Sequence, residues 1–347
     1  MRLGSRRDHA DCTHVPLGVA VRARSPLTAA PASLLVFAGI VSVQLGAGLA
    51  GRLFSEAGPA GVTGLRLWWS ALIMAIFGGR ALARALRAAV VDRAWRDLAT
   101  AIAFGVVLGV MNFSIYQSFA RIPLGVAVTI EFLGPLAVAV GSSRRLLDLA
   151  WVVLAAVGVL LLTQGGAQLA SGSGHGGGTG VGSAGPLLGL STTATGIAFG
   201  LLAAACWAAY ILLSRATGRR FSGSSGLVIA MIVAAVLVTA PAITQAGPAL
   251  WQPGLIVAGL AVGLLSSVIP YRVELEALRR VPAGVFGIWM SLEPAVAALI
   301  GLALLGETLI ARQWLAIGAV VIASAGAARS SAGSRQPSQD LPPPPAT

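Results

Sequence analysis

The sequence predicts an all-α integral membrane protein, with ten transmembrane helices arranged as two inverted five-helix repeats. Three observations carry this. Of 347 residues, 56% are hydrophobic and only 10% charged, against roughly 25% charged in a soluble globular chain. Apolar runs of about 20 residues, long enough to cross a hydrocarbon layer, recur ten times. Finally, the stretch Pro123–Gly141, PLGVAVTIEFLGPLAVAVG, returns 159 residues later as Pro282–Ile300, PAGVFGIWMSLEPAVAALI.

Taken in order, residues 1–30 form a polar tail carrying Arg2, Arg6, Arg7, Arg22 and Arg24. The apolar run after it is longer than a signal-peptide core, so it reads as an uncleaved first span behind a disordered tail. A first repeat, 31–163, holds spans near 33–54, 60–79, 98–119, 123–141 and 146–163. A Gly/Ser-rich linker, 164–192, separates it from a second repeat, 193–328. That repeat holds spans near 194–214, 225–245, 254–277, 282–303 and 309–328. The tail 329–347 ends in four prolines before Ala-Thr and reads as disordered.

The net charge of +12 comes with no lysine at all. Nineteen arginines fall in the tails and in alternate loops, including Arg80, Arg144, Arg145, Arg219 and Arg279. The opposite loops hold Arg121 and Arg312. That asymmetry is the positive-inside pattern rather than a nucleic-acid surface, and it puts both termini in the cytoplasm. Five is odd, so the second half enters the membrane upside down. Inverted repeats of this kind typify secondary transporters, whose substrate site lies near mid-membrane where the repeats meet.

No enzyme or metal signature competes with this reading. Cys12 and Cys206 have no metal-ligand spacing. Gly172, Gly174 and Gly177 fit G-x-G-x-x-G but lack the strand and helix that a dinucleotide site needs, and His175 beside them reads as solvated. No cofactor is expected.

The candidate residues are polar groups at membrane depth. Glu131 and Glu293 fall near the midplane, where a carboxylate costs several kcal/mol unless neutralised, paired or hydrated. Each is either a structural hydrogen-bond partner or a protonatable group on a transport path. In repeat coordinates they are offset by one helical turn, since Glu131 aligns with Met290. Pro135 and Pro294 follow them and remove a backbone donor, as ordinary kinks or as functional breaks. Arg66 in span 2 could snorkel outward, pair with a carboxylate, or bind a substrate carboxylate. Asn112, Ser114, Tyr116 and Gln117 concentrate hydrogen-bonding groups in span 3, and Gln44 is a lone polar group in span 1. Trp207, Tyr210, Tyr271 and Trp289 either line a cavity or pack. Arg272 and Glu274 lie toward the inner end of span 8, with Glu276 and Arg279 at the interface. Gly105/Gly109 and Gly259/Gly263 read as close-packing pairs.

The runs GVTGLRL (61–67), IPLGVAVTIEFLGPLAVAVGSSRR (122–145), CWAAYILLSR (206–215), PYRVELEALRRVPAGVFG (270–287) and MSLEPAVAALIGLALLGETL (290–309) resemble the EamA-type drug/metabolite transporter superfamily. Within it they are most similar to the bacterial inner-membrane threonine/homoserine exporters. Arg272 departs from that pattern, which has a small polar residue there. The resemblance implies export of small amino acids across the cytoplasmic membrane, driven by proton antiport. Its partners would be the substrate, protons and the lipid bilayer, with no nucleic acid, and a homodimer is left open. Glu131 and Glu293 are then the proton or ammonium candidates and Arg66 the candidate carboxylate anchor, while Glu274 either neutralises charge locally with Arg272 or joins in proton coupling or substrate binding. A cationic drug or another metabolite is the alternative cargo, and a non-transporting sensor the alternative class.

Overall fold

A computed structural model describes residues 30–91, 95–141, 150–161, 191–221 and 225–333. Most of both tails lies outside the described residues. So do Arg93, Arg144, Arg145, and the Gly-rich connection with Gly172, Gly174, Gly177 and His175. Regular structure among the described residues is helical throughout.

Helix α1, Ala32–Val91, is bent at Gly58, whose φ of 64° and ψ of 167° suit glycine. Pro59 follows, so α1 is two arms meeting at a corner. Gln245 pins that corner by accepting from the Ala60 N–H at 2.6 Å. Helices α2 (Trp95–Phe119), α3 (Leu124–Glu131), α4 (Leu133–Gly141) and α5 (Ala150–Leu161) complete the first half. The second half contains α6 (Thr192–Arg220), α7 (Ser225–Ala246), α8 (Pro253–Gly263) and α9 (Ile269–Leu278). It ends with α10 (Ala283–Met290), α11 (Glu293–Ile300) and α12 (Ala311–Gly333). A π-helical turn, Leu264–Val268, joins α8 to α9, and another, Gly301–Leu305, follows α11.

Eight helical stretches among the described residues are long and apolar enough to cross a membrane, and α5 is apolar but shorter. The expected spans near 33–54 and 60–79 form one such stretch, bent at Gly58. It runs beyond 79 to Val91, because the Ala-, Leu- and Arg-rich segment that follows favours helix.

The expected spans near 123–141 and 282–303 are each two short helices rather than one. Pro135 and Pro294 have no N–H to give to the carbonyls four residues back, those of Glu131 and Met290. The helix ends where that donor is missing. The two breaks are near copies. Phe132 has φ −63° and ψ −13°, and Ser291 has φ −63° and ψ −12°. The starts match as well, with Pro123 and Pro282 both extended at ψ 142°.

Small residues let these elements approach closely. Gly125 of α3 lies against the Ala298 backbone of α11, and a Cβ there would sit 2.6 Å from it. Gly105 and Gly109 admit Ala230 and Ala234 of α7, while Gly259 admits Leu65. Large apolar side chains such as Phe77, Val257 and Leu315 remain exposed on the outside, the arrangement of a chain whose surroundings are hydrocarbon rather than water. Ion pairs lie near helix ends: Arg220 meets Asp97 at 2.7 Å, and Glu276 meets Arg279 and Arg280.

Candidate functional site

Between the halves lies a cavity of about 210 Å³. The first arm of α1 contributes Gln44 to its wall, and the second arm Arg66. Asn112 and Tyr116 come from α2, Glu131 from α3, and Trp207 and Tyr210 from α6. Ser266 comes from the π-turn, Tyr271 and Glu274 from α9, Met290 from α10 and Glu293 from α11. Three carboxylates and one guanidinium thus share one small space. Two larger hollows, of about 420 and 430 Å³, flank Trp68 on the outer surface. Their walls are almost wholly apolar, so they offer nothing that could orient a polar ligand.

Packed aromatics back the cavity wall at Tyr116. Tyr116 stacks at a tilt on Phe54 (5.9 Å between centroids) and on Phe119 (5.6 Å). Tyr271 and Glu274, also in the wall, are both partly exposed.

Arg66 turns inward and does not snorkel. It donates to the Tyr116 hydroxyl at 3.1 Å and to the Ser266 carbonyl at 3.2 Å, with its guanidinium over the Tyr116 ring. No ion pair neutralises it among the described residues, and its Nε has no partner. The Ser266 carbonyl is available because Pro270, four residues on, cannot donate to it. In the π register Pro270 leaves the Leu265 carbonyl open too, and the Ser42 hydroxyl donates to that at 2.8 Å. A π-turn at a ligand site is a recurrent association, and here it fixes Arg66.

The carboxylates differ. Glu293, 7% exposed, accepts from Gln44 Nε2 at 2.9 Å and sits in the first turn of α11, where the helix dipole favours negative charge. Glu131 is the last residue of α3, the end that disfavours negative charge, and no hydrogen bond reaches it from the described residues. Four buried polar atoms of the cavity-lining residues lack partners: Gln44 Oε1, Arg66 Nε, Ser266 Oγ and Glu293 Oε2. Unmet hydrogen-bonding capacity of this kind is what a polar ligand would satisfy.

Most of the candidates read from the sequence converge on this cavity: Glu131, Glu293, Glu274, Arg66, Asn112, Tyr116, Trp207 and Tyr210. Gln117 does not. It is buried against Arg121, which donates to its side-chain oxygen at 2.8 Å, because it lies about 100° round the helix from Tyr116. Ser114 is buried elsewhere, and Arg272 lies over the Phe77 ring. Pro135 and Pro294 are not in the wall; they leave the Glu131 and Met290 carbonyls without a helical donor. The sequence reading missed Ser266, for which Pro270 four residues later was the signal. It also missed Glu307, which accepts from the Leu124 N–H at 2.8 Å. Outside the spans, burial pushes the Glu307 carboxyl up to about 7, against the opposing pull of that N–H.

Known proteins were compared with this chain. The EamA-like transporter family matches residues 194–329. The threonine/homoserine exporter RhtA of Escherichia coli (strain K12) is 40% identical over 299 residues, covering 84% of this chain and 90% of the relative. RhtA of Salmonella typhimurium (strain LT2) is 38% identical over the same shares. A solved structure described only as a crystal structure of protein has a TM-score of 0.54 at 17% identity. It covers 88% of this chain and 99% of its own, and so speaks to the fold alone. With an identity of this level over nearly the whole of its relatives, and a helical membrane fold around a polar cavity, the chain belongs to the EamA-like transporter family.

Proposed function

We propose that this exporter moves small amino acids of the threonine and homoserine type out of the cytoplasm by proton antiport. Ten membrane crossings in two inverted five-helix repeats carry it, with both termini cytoplasmic. The cavity supports this most directly: it sets one unneutralised guanidinium opposite carboxylates in about 210 Å³. A zwitterion requires both signs of charge, and a hydroxyl on its side chain would meet Asn112 or Ser266. The volume lies below the roughly 300–1,000 Å³ of pockets for drug-sized ligands, which favours a small metabolite over a bulky cationic drug. The twin breaks at Phe132 and Ser291 support the repeat, and the names of the relatives support the cargo.

In this reading the Arg66 fork takes the substrate carboxylate, exchanging its Tyr116 and Ser266 bonds for charge-assisted ones. Glu131 takes the ammonium group in one half of the cycle and a proton in the other. Binding the two in exclusion is what couples opposite movements. Glu293 is held by Gln44 as a fixed wall of the site, while Glu274 guards the partly exposed end. The aromatic closure at Phe54, Tyr116 and Phe119 is the gate on the outer side.

The test is flux in proteoliposomes under an imposed pH gradient, using threonine, homoserine and a cationic dye in parallel. Gradient-dependent movement of the two amino acids is expected. Dye movement without amino acid movement would overturn the cargo, and amino acid movement indifferent to the gradient would overturn the antiport.

A further inference from the structure

We infer that Glu307 is a positioning residue for the transport site, gripping the N-terminus of α3 and so setting where Glu131 stands at its other end. The first residue of α3, Leu124, follows Pro123, which offers no side-chain cap. A helix start left this way has N–H groups in need of an acceptor. The acceptor comes from 183 residues away, as Glu307 Oε2 takes the Leu124 N–H at 2.8 Å.

The chain around Glu307 is shaped to deliver that oxygen. The π-turn Gly301–Leu305 ends at Gly306, whose φ of 68° reverses the backbone. The Glu307 N–H then donates to the Gly301 carbonyl at 3.1 Å. Its carboxylate lies directly over Gly301, so close that a Cβ there would overlap Oε2. The same turn is tied to α1, because Arg52 Nε donates to the Leu304 carbonyl at 2.9 Å. One short turn therefore joins the first arm of α1, the start of α3 and the end of α11.

Helix α3 has eight residues, a rod of about 12 Å. Gly125 beds it against Ala298, and at its far end Phe132, whose N–H donates to the Val128 carbonyl at 3.0 Å, leads into α4 across a break where Pro135 leaves the Glu131 carbonyl without its helical donor. Every residue from Leu124 to Ile130 is buried, so this short helix moves as a unit with the anchor at its start. Glu131 carries no hydrogen bond of its own from the described residues, so α3 alone sets its place.

The experiment compares Glu307→Ala, Glu307→Gln and Gly301→Ala with wild type in two readouts. The rate readout rests on the transport reading above; hydrogen exchange at the amides of 122–130 does not. The Ala variant is expected to expose the Leu124 amide, speeding its exchange at least tenfold. It should also lower maximal threonine flux about tenfold, while half-saturation stays within about twofold. Glutamine keeps an acceptor oxygen, so Glu307→Gln should hold exchange and flux within about threefold of wild type. Gly301→Ala, with Glu307 intact, should repeat the alanine pattern by displacing the carboxylate. Unchanged exchange in Glu307→Ala would overturn the grip, and faster exchange with unchanged flux would overturn the positioning role. A wild type that moves no threonine would sink the cargo while the exchange readout still decides the grip.

Discussion

The two broken spans make an instructive pair. Both begin at an extended proline, run eight residues, stop at a nearly identical backbone break and resume under a second proline. Backbone chemistry repeats because Pro135 and Pro294 each remove the same donor. Side-chain chemistry does not. One turn of offset puts Glu131 before its break and Glu293 after it. The first ends a helix without a hydrogen-bond partner among the described residues; the second starts a helix and is held by Gln44. Two stretches can thus share one backbone break while setting their acids in different surroundings, and the proposed division between an exchanging and a structural carboxylate rests on that asymmetry.

The sharpest way to break that comparison is Glu131→Gln. Export is expected to fall at least about 100-fold, equivalent to about 2.7 kcal/mol or more of barrier, with folded protein still in the membrane. Near-normal flux at matched expression would remove Glu131 from the cycle. Arg66→Lys comes next. Lysine cannot reproduce the fork onto Tyr116 and Ser266, and half-saturation is expected to rise about tenfold, read from flux against substrate concentration.

Glu293 should behave differently. Replacing Gln44 by Ala strips Glu293 of its donor and should cost about 1–3 kcal/mol of stability, measured by thermal unfolding in detergent. Glu293→Gln is expected to reduce flux only severalfold and to shift its pH profile. If it matched the loss in Glu131→Gln, the division of roles between the two acids would fail.

The smallest effect lies at the turn that holds Glu307. Glu307 rises from 4.5 to about 7 in the folded protein. Between those values the native state keeps a proton that the unfolded chain releases. Its contribution to stability is therefore full below about 4.5 and is lost as pH rises through about 7. Glu307→Gln should flatten that fall, seen by comparing unfolding near pH 5 with unfolding near pH 8. An unaltered slope would show that the carboxylate does not titrate there.

Much of the membrane design was legible in the chain itself. Apolar runs located the eight helical stretches long and apolar enough to cross a membrane, and the prolines with their acids located the two broken helices beside the cavity. The family was legible too, from long runs such as those around Glu131 and Glu293. What escaped was long-range pairing. Gln44 and Glu293 are separated by 249 positions, and Glu307 and Leu124 by 183, so no local pattern links them. Gln117 misled because density of polar residues was read without their direction; only Asn112 and Tyr116, four apart, share the cavity face. The π-turn at Ser266 escaped because a proline announces a missing donor without saying which side chain replaces it.

The most direct measurement is pH-gradient-driven threonine flux in proteoliposomes, with wild type, Glu131→Gln and Glu293→Gln reconstituted at equal density. Flux that follows the gradient in wild type, vanishes in Glu131→Gln and persists with an altered pH profile in Glu293→Gln is the expected result. Equal loss in both variants, or flux in Glu131→Gln that still follows the gradient, would contradict the assignment of the exchangeable carboxylate to Glu131.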